Sequence, residues 1–152
     1  MSGRFDELRL KNQTGFPIYL CGKEIANLLC SLLDPYGLTY TQFIIMTYLW
    51  ETGGSNVKDA SDALMLDPST LTPILKKLEG KGYITRERDE NDERNLMIKV
   101  TEAGEKLRID VSAVPKKVKE SLGLSSEETK TIRELMYKML INLKKEKNNA
   151  GN

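Results

Sequence analysis

The sequence of 152 residues predicts a mainly α-helical protein that carries one small β-hairpin. Apolar residues recur at steps of three and four through most of the chain, which is the pattern of the inner face of an amphipathic helix. At residues 96–100 the spacing changes to two, which is the pattern of a half-buried strand, and the short segment at 83–88 is similarly rich in strand-forming residues. The length suits one domain with its own hydrophobic core, which we expect to span 1–152.

The first helix is predicted at about residues 12–34. Pro17 and Gly22 predict that its first turns are irregular, because both residues disfavour a helix interior. The sequence "DPYG" at 34–37 ends the helix, since it combines residues that are typical of turns. The apolar stripe of this helix consists of Ile18, Cys21, Ile25, Leu28, Leu29 and Leu32.

Two shorter helices are predicted next. Thr39 and Gln42 form a capping-box pattern at the start of the second helix, which continues to about Thr52. Ser55 or Asn56 is a suitable cap for the third helix. The inner face of the third helix consists of Val57, Ala60 and Leu64.

The fourth helix has the strongest pattern. Asp67 is a good N-cap, Pro68 suits the first helical position, and Gly80 with Gly82 predicts the end. Pro73 lies inside this helix and removes one backbone hydrogen bond, so we expect an irregular first turn or a compensating interaction. The buried stripe is Leu71, Ile74, Leu75 and Leu78.

The charged stretch "RERDENDERN" at 86–95 lies between the apolar-alternating segments "YIT" and "LMIKV". Such a sequence predicts the turn of a β-hairpin whose strands are half-buried. The mixture of acids and arginines indicates a turn whose shape is held by charge pairs and which presents a few arginines.

Two more helices are predicted after the hairpin. Thr101 caps a helix that extends to about Lys119, and Pro115 bends or breaks it. "SSEE" at 125–128 is a capping box for the last helix, and the polar residues after 143 are expected to fray. The apolar set of the last helix is Ile132, Leu135, Met136, Met139, Leu140 and Leu143.

The composition excludes several kinds of chemistry. The chain has no histidine, which excludes Ser-His-Asp triads, Cys-His dyads and histidine-ligated zinc. The two cysteines, Cys21 and Cys30, are too few for a four-cysteine zinc site and do not form a CxxC motif. We therefore predict no catalytic residue, no metal and no cofactor, and an enzyme such as a thiol peroxidase is a disfavoured alternative.

The sequence also bears on location and partners. By inspection, no apolar run reaches the ~18 residues of a membrane span, and the N-terminus has no apolar leader segment. We therefore expect a cytoplasmic protein without a membrane partner. The formal net charge is +1, so an argument for nucleic acid depends on where the charges lie.

Residues 38–101 have the order of a winged helix-turn-helix, in which the second helix of the motif enters the DNA major groove. The fourth helix fits this role, because its outer face carries small hydroxyl groups and lysines. Arginines of the hairpin suit the minor groove. The alternatives are a solvated helix and turn, or a helical interaction module without DNA binding. The predicted DNA contacts are Ser69, Thr70, Thr72, Lys76, Lys77, Arg86, Arg88 and Arg94.

The segment "LDPSTLTPILKKLEGKGYITRERDENDERNLMIKVTEAG" resembles the DNA-binding lobe of the MarR family of bacterial transcription regulators. With "NQTGFPIYLCGKEI" and "TYTQF", nearly the whole chain is similar to the organic-hydroperoxide-sensing branch of that family. The resemblance implies a homodimer held by helices 12–34 and 103–147, whose winged lobes bind two halves of a palindromic operator. It also implies that Asp92 braces the wing while Arg94 enters the minor groove, and that Pro73 is a shared feature.

The resemblance fails at the sensor cysteine of that branch, because the matching position is Gly15. Three alternatives for the signal remain: Cys21 senses organic hydroperoxide in its place, Cys21 is a buried inert thiol, or a small aromatic or lipophilic molecule is the effector. The predicted function is a dimeric, sequence-specific regulator in a stress response, a repressor released by a small molecule or an oxidant. The candidate sensor or effector residues are Phe16, Tyr19, Cys21, Tyr36 and Tyr40.

Overall fold

The computed structural model describes residues 5–88 and 96–150 of the chain. The described part contains seven α-helices and three short strands, so the prediction of a mainly helical protein with a small sheet is confirmed. In chain order the elements are α1 (Gly15–Leu33), α2 (Tyr40–Thr52), β1 (Ser55–Asn56), α3 (Val57–Leu64), α4 (Pro68–Gly80), β2 (Ile84–Arg88), β3 (Leu96–Val100), α5 (Glu102–Asp110), α6 (Val114–Leu122) and α7 (Ser126–Ala150).

The chain divides into two compact units, and the boundary comes after Val114, the first residue of α6. The first unit contains α1 to α5 with the sheet, and the second contains most of α6 and all of α7. Short 3-10 turns at Asp6–Leu8 and Leu10–Asn12 precede α1, and another at Asp34–Tyr36 comes after it.

Side-chain caps fix the starts of several helices, as the sequence predicted. Thr39 and Gln42 form both hydrogen bonds of a capping box at α2, each 3.2 Å long. Asn56, and not Ser55, caps α3 by accepting a 2.8 Å bond from the backbone N–H of Asp59. Each cap satisfies a backbone N–H that has no acceptor within its own helix.

A second capping box starts α7. The backbone N–H of Ser125 donates to Glu128 Oε2 at 2.8 Å, and the backbone N–H of Glu128 donates to Ser125 Oγ at 3.2 Å. The bond from the Ser125 backbone, and after it the bond between the side chains, lowers the pKa of Glu128 below its ordinary value. Residues 144–150 continue this helix, with exposed side chains at 144–149, so the fraying expected of this tail stays a prediction.

The prolines outside α4 lie where helices tolerate them. Pro17 is the third residue of α1, among the first four residues whose N–H groups have no acceptor within the helix. The irregular segment predicted at its start therefore lies before Gly15, in the 3-10 turns. Residues 111–113 separate α5 from α6, and Pro115 is the second residue of α6. The predicted break is confirmed, but it precedes the proline.

The sheet is antiparallel and has the order β1-β3-β2. In the hairpin, Ile84 pairs with Val100 and Arg88 with Leu96, and residues 89–95, which connect the two strands, lie outside the described residues. Strand β1 pairs Ser55 with Ile98 and was not predicted, because two residues carry no alternating pattern. We call residues 84–100 the wing.

The core of the first unit lies around α2, which contacts α1, α3, α4, α5 and β3. Fully buried side chains come from most elements of this unit, so the helices and the sheet share one interior. The largest of them are Leu33, Ile45, Met46, Leu49, Leu71, Leu75, Leu78, Ile84, Ile98 and Val111.

Two long helices expose apolar side chains in the single chain. The segment Gly15–Tyr36 is long and apolar enough to cross a membrane by length and composition alone, and little of it is buried. This finding corrects the expectation that no apolar segment reaches that length. Exposed apolar side chains of α1 and α7 are Phe16, Tyr19, Leu20, Ile132, Leu135, Met136, Tyr137, Leu140, Ile141 and Leu143.

Gly104 permits the close approach of α5 to the start of the wing. A Cβ at this position would lie 2.3 Å from the carbonyl oxygen of Tyr83 and 2.7 Å from Val100 Cγ1. Both polar groups of the Gly104 backbone also form hydrogen bonds to side chains. Its N–H donates to Thr101 Oγ1 at 3.1 Å, and its carbonyl accepts from Trp50 Nε1 at 3.2 Å.

We expect Gly104→Ala to lower the free energy of unfolding by about 1–3 kcal/mol, because the added methyl group meets the backbone of Tyr83 as well as the side chain of Val100, and backbone cannot move aside easily. The measurement is urea unfolding monitored by circular dichroism, at one protein concentration. Gly80→Ala is the matched control: its Cβ meets nothing within 4 Å, so a neutral effect or a gain of up to ~1 kcal/mol is expected. Equal losses in both variants would contradict the packing argument.

Candidate nucleic-acid interface

A tight turn joins α3 to α4. Met65 has φ of 56°, which is a left-handed conformation that costs a non-glycine residue roughly 1 kcal/mol. The backbone N–H of Leu66 donates to the Ser61 carbonyl at 3.1 Å, and the buried Ser61 hydroxyl donates to the Leu66 carbonyl. These bonds hold the turn, so α3 and α4 form a helix-turn-helix.

Asp67 stands at the N-cap of α4 and Pro68 at its first position, as predicted. The carbonyl of Asp67 accepts from the backbone N–H groups of Thr70 and Leu71 at 2.9 Å each, but its carboxylate forms no capping bond. The exposed carboxylate therefore remains beside the helix N-terminus. Its charge would oppose a phosphate at the helix end, which moves the expected DNA contacts to the outer face.

The two faces of α4 differ sharply in burial. Leu71, Leu75 and Leu78 are fully buried. At about 100° per residue, Ser69 and Lys76 share the middle of the opposite face. Four of the predicted contact residues on this helix are exposed and Thr72 is half-buried; the exposed ones are Ser69, Thr70, Lys76 and Lys77.

Pro73 is exposed, and it does not interrupt α4. It is the sixth residue of the helix, so its missing N–H leaves the Ser69 carbonyl without the usual bond from four residues further along. Nearby, Thr72 Oγ1 donates to the Pro68 carbonyl at 2.8 Å. The proline is therefore a feature of the outer face and not an error in the predicted boundary.

The end of α4 has the geometry of a Schellman motif. Gly82 has φ of 78°, the backbone N–H of Tyr83 donates to the Leu78 carbonyl at 3.1 Å, and the backbone N–H of Gly82 donates to the Glu79 carbonyl at 2.8 Å. This turn leads the chain from α4 directly into β2.

Glu79 and Arg86 join α4 to the wing. Arg86 Nη2 and Nε lie 2.6 and 3.0 Å from Glu79 Oε2, and the Arg86 backbone N–H donates to Glu79 Oε1 at 3.2 Å. These hydrogen bonds hold the pKa of Glu79 below its ordinary value of 4.5. The Arg86 side chain is 17% exposed, so this placement argues against the DNA contact expected for it.

The remaining wing residues divide between the two faces of the strands. Arg88 is exposed at the end of β2, two residues beyond Arg86 and therefore on the same face. On the other face, Lys99 Nζ lies 2.8 Å from Glu87 Oε2. Asp92 and Arg94, for which the sequence predicted roles, lie outside the described residues.

Lys81 connects the end of α4 to the turn that comes after α1. Its Nζ donates to the carbonyl of Gly37 and lies 3.2 Å from Gln42 Oε1. No sequence pattern indicated this contact, because the partners are 44 and 39 positions away. The contact ties α4 to the start of α2, where Tyr40 lies.

The candidate effector residues are spread over three places. Phe16 and Tyr19 lie one turn apart on the exposed start of α1, with Lys23 Nζ 5.7 Å from the Tyr19 ring. Tyr36 is half-buried in the 3-10 turn. Tyr40 stacks on Phe43, with ring centroids 6.4 Å apart, and it lines a groove between α2 and α3.

Both thiols are free, and both are exposed in the single chain. The expectation of a buried Cys21 is therefore wrong for an isolated chain. Cys21 and Cys30 are nine residues apart on α1, which places them on opposite faces and roughly 13 Å apart along the axis. A disulfide needs Cα atoms within about 7 Å, so the two cannot pair within one chain.

The helix-turn-helix with a wing after it defines this protein as a winged-helix transcription regulator. The comparisons with known proteins agree, because the family model described as transcriptional regulator SarA/Rot matches residues 27–111. The chain belongs to the MarR family of transcriptional regulators, near its organic-hydroperoxide-sensing branch, as the sequence resemblance implied. The members compared are regulators and not enzymes, in agreement with the prediction.

Two curated relatives support this assignment. The chain is 37% identical over 143 residues to the organic hydroperoxide resistance transcriptional regulator of Bacillus subtilis, covering 92% of this chain and 95% of the relative. It is 38% identical over 125 residues to the HTH-type transcriptional regulator SarZ of Staphylococcus epidermidis, covering 82% and 84% respectively.

Two solved structures share the fold. The structure of reduced AbfR bound to DNA has a TM-score of 0.75 and 32% identity, covering 91% of this chain and 96% of that chain. A mutant MarR from E. coli complexed with operator DNA has a TM-score of 0.78 and 25% identity, covering 91% and 99%.

We expect Glu79→Gln to destabilise the fold at pH 7, because the charged bonds to Arg86 are replaced by weaker ones. Glu79 has a lowered pKa in the folded state, so its contribution is present above the unfolded pKa and is lost as pH falls through the folded pKa. The difference in stability between the wild type and Glu79→Gln should therefore shrink as the pH falls below about 4.5. Urea midpoints across pH 3–7 measure it.

Glu87→Gln is the control for this experiment, because Glu87 pairs with Lys99 on the same hairpin in a more exposed position. We expect a smaller loss at pH 7 from this variant, as is typical of exposed ion pairs. A loss of stability in Glu79→Gln no larger than that of the control would show that the ion pair between Glu79 and Arg86 does not stabilise the connection between α4 and the wing.

Proposed function

We propose that this chain is a homodimeric repressor that binds a palindromic operator through α4 and the wing, and that a small molecule or an oxidant releases it. One observation carries the proposal: α4 buries its leucines completely and turns its hydroxyl and lysine side chains outward, with the wing joined to its end. A helix presented in this way suits the major groove.

Different side chains would have different tasks in the complex. Ser69, Thr70 and Thr72 are short enough to approach base edges, while Lys76 and Lys77 neutralise phosphates. Arg88 extends the same surface along the wing. Arg86 holds the wing to α4 through Glu79 and acts as a positioning residue. For Asp92 and Arg94 the proposal retains the roles implied by the family resemblance, support of the wing and insertion into the minor groove.

The dimer would form from the segments 12–34 and 103–147, with 38–101 as the DNA-binding lobe of a single functional domain 1–152. The exposed apolar faces of α1 and α7 support this proposal, because a soluble regulator must cover such surfaces. A partner chain also accounts for the apolar character of Gly15–Tyr36 without a membrane. Chromosomal DNA as the partner implies a cytoplasmic protein.

Two copies of the lobe would bind two half-sites separated by about one turn of B-DNA, roughly 34 Å. A signal that changes the separation of the two lobes weakens both contacts together. To change the bound fraction from 99% to 1%, the signal must favour the unbound form by about 5.5 kcal/mol.

Oxidation of Cys21 is the second candidate for the signal, because its thiol is exposed. The thiolate would attack the O–O bond of an organic hydroperoxide, ROOH, giving cysteine sulfenic acid and, after protonation, the alcohol ROH. The relative from Bacillus subtilis is named for organic hydroperoxide resistance, and AbfR has been described in reduced and overoxidized forms bound to DNA. The absence of a cysteine at Gly15 favours a small lipophilic effector instead.

We expect Lys76→Ala to weaken binding to fluorescent DNA from the upstream region of its own gene. The slope of log affinity against log salt is negative. If each copy loses one phosphate contact, the slope should become shallower by about 2 per dimer. Fluorescence anisotropy at several salt concentrations measures this slope. Lys106→Ala removes the same charge from α5 and should leave the slope unchanged. Equal slopes for the wild type and Lys76→Ala would exclude this use of α4.

The thiol candidate is tested by adding cumene hydroperoxide to the same protein–DNA complex. If Cys21 is the sensor, peroxide should release the DNA, dithiothreitol should restore binding, and Cys21→Ser should remain bound. Cys30→Ser is the matched control and should behave like the wild type. Binding that ignores the peroxide, or release that persists in Cys21→Ser, would exclude Cys21 as the sensor.

A further inference from the structure

A groove of about 310 Å³ lies between α2 and α3. Its wall is formed by one face of α2 between Tyr40 and Glu51, together with Ala63 and Leu64 of α3. We call this surface the α2–α3 groove. Its lining is mostly apolar and aromatic, and it is open to solvent, so an elongated ligand can enter it from the side.

The charge of the groove is negative at one end. Glu51 is the one charged side chain among the described residues that line it. Glu51 is also the penultimate residue of α2, where the helix dipole adds negative potential from the last carbonyl groups. The two contributions favour a cationic group at this end and oppose a carboxylate.

The rest of the groove offers apolar and aromatic contact. Tyr48 lies one turn before Glu51, and its hydroxyl is held 3.0 Å from Ser55 Oγ, which fixes the ring. At the far end Tyr40 and Phe43 stack with an interplanar angle of 25°. The distance from Tyr40 to Glu51 along the helix axis is about 16 Å, at 1.5 Å per residue.

From this arrangement we infer that the α2–α3 groove binds an elongated amphipathic organic cation, with the cationic group at Glu51 and the apolar part along α2 towards Tyr40 and Phe43. Aromatic rings contribute further attraction for a desolvated cation. The groove disfavours an acidic effector, because a carboxylate would meet that of Glu51 and would find no cationic side chain among the described lining residues.

The position of the groove links the ligand to α4, a step that rests on the proposed function. Leu64 lines the groove and is the last residue of α3, and Met65 begins the strained turn into α4. Helices α3 and α4 also pack on each other. A ligand that separates α2 from α3 therefore shifts the turn that sets the position of α4.

The test uses the full chain and two probes of similar length, octyltrimethylammonium and nonanoate, both below their micellar concentrations. Amide chemical shifts in 15N-labelled protein report binding and its location. We expect the cation to shift the amides of Thr47, Glu51 and Ala63 in a saturable way. Nonanoate should bind at least about fivefold more weakly, because one charge–charge contact near the surface changes sign.

Two variants of equal charge change complete the test. Glu51→Gln should weaken cation binding about fivefold, while Asp62→Asn, an acid of α3 outside the groove lining, should leave it unchanged. Equal affinity for cation and anion, equal effects of the two variants, or shifts elsewhere in the chain would overturn the inference. So would the absence of saturable binding.

Anisotropy with DNA from the upstream region of the gene keeps the two proposals apart. Cation binding at the groove in a protein that binds no operator DNA would overturn the repressor proposal and leave the ligand site standing. Operator binding in a protein whose groove takes up no cation would overturn the ligand site alone. Cation binding that leaves the DNA affinity unchanged would overturn the link to α4.

Discussion

The structure of the winged helix-turn-helix depends on the burial of one face of α4. Leu71, Leu75 and Leu78 are fully buried, and each contributes roughly 1.5–3 kcal/mol through the apolar surface it removes from water. This interaction fixes the rotation of α4 about its own axis, and therefore which side chains face outward. It also explains why Pro73 is tolerated, since one lost backbone hydrogen bond on the outer face is small beside three buried leucines.

A buried face fixes the rotation of a helix but does not set the direction of the chain beyond its end. Here the Schellman motif at Gly82 sets that direction, and the pair between Glu79 and Arg86 holds β2 against α4. Lys81 adds a bond on the other side, to the start of α2. The end of α4 is thus connected both to the wing and to α2. Under the proposed mechanism, a change in α2 would reach the outer face of α4 through this connection.

The features that the sequence predicted are those with local causes. The capping boxes at Thr39 and Ser125 and the stripe of α4 involve residues three or four positions apart. Both boxes are present, and the stripe is buried except at Ile74, which is half-buried. The features that it did not predict arise between distant elements. A strand of two residues, the pairing of Arg86 and the contact of Lys81 depend on which surfaces meet, and periodicity carries no information about that. Arg86 was assigned to DNA because an arginine beside a charged turn has the same pattern whether its partner is a phosphate or Glu79.

The pairing of charges also bears on how selective the proposed DNA contact would be. In the described part of the wing, Arg86 is engaged by Glu79 and Glu87 by Lys99, so these charges are neutralised within the fold. Such a surface attracts phosphate less strongly than the number of arginines suggests, and the net charge of +1 adds little long-range attraction. In the proposed complex with DNA, affinity would then depend on close contacts of α4 and the wing, which form fully only at a matching sequence. If the chain binds DNA as proposed, the pairing of charges on the described strands therefore favours specificity over general attraction to DNA.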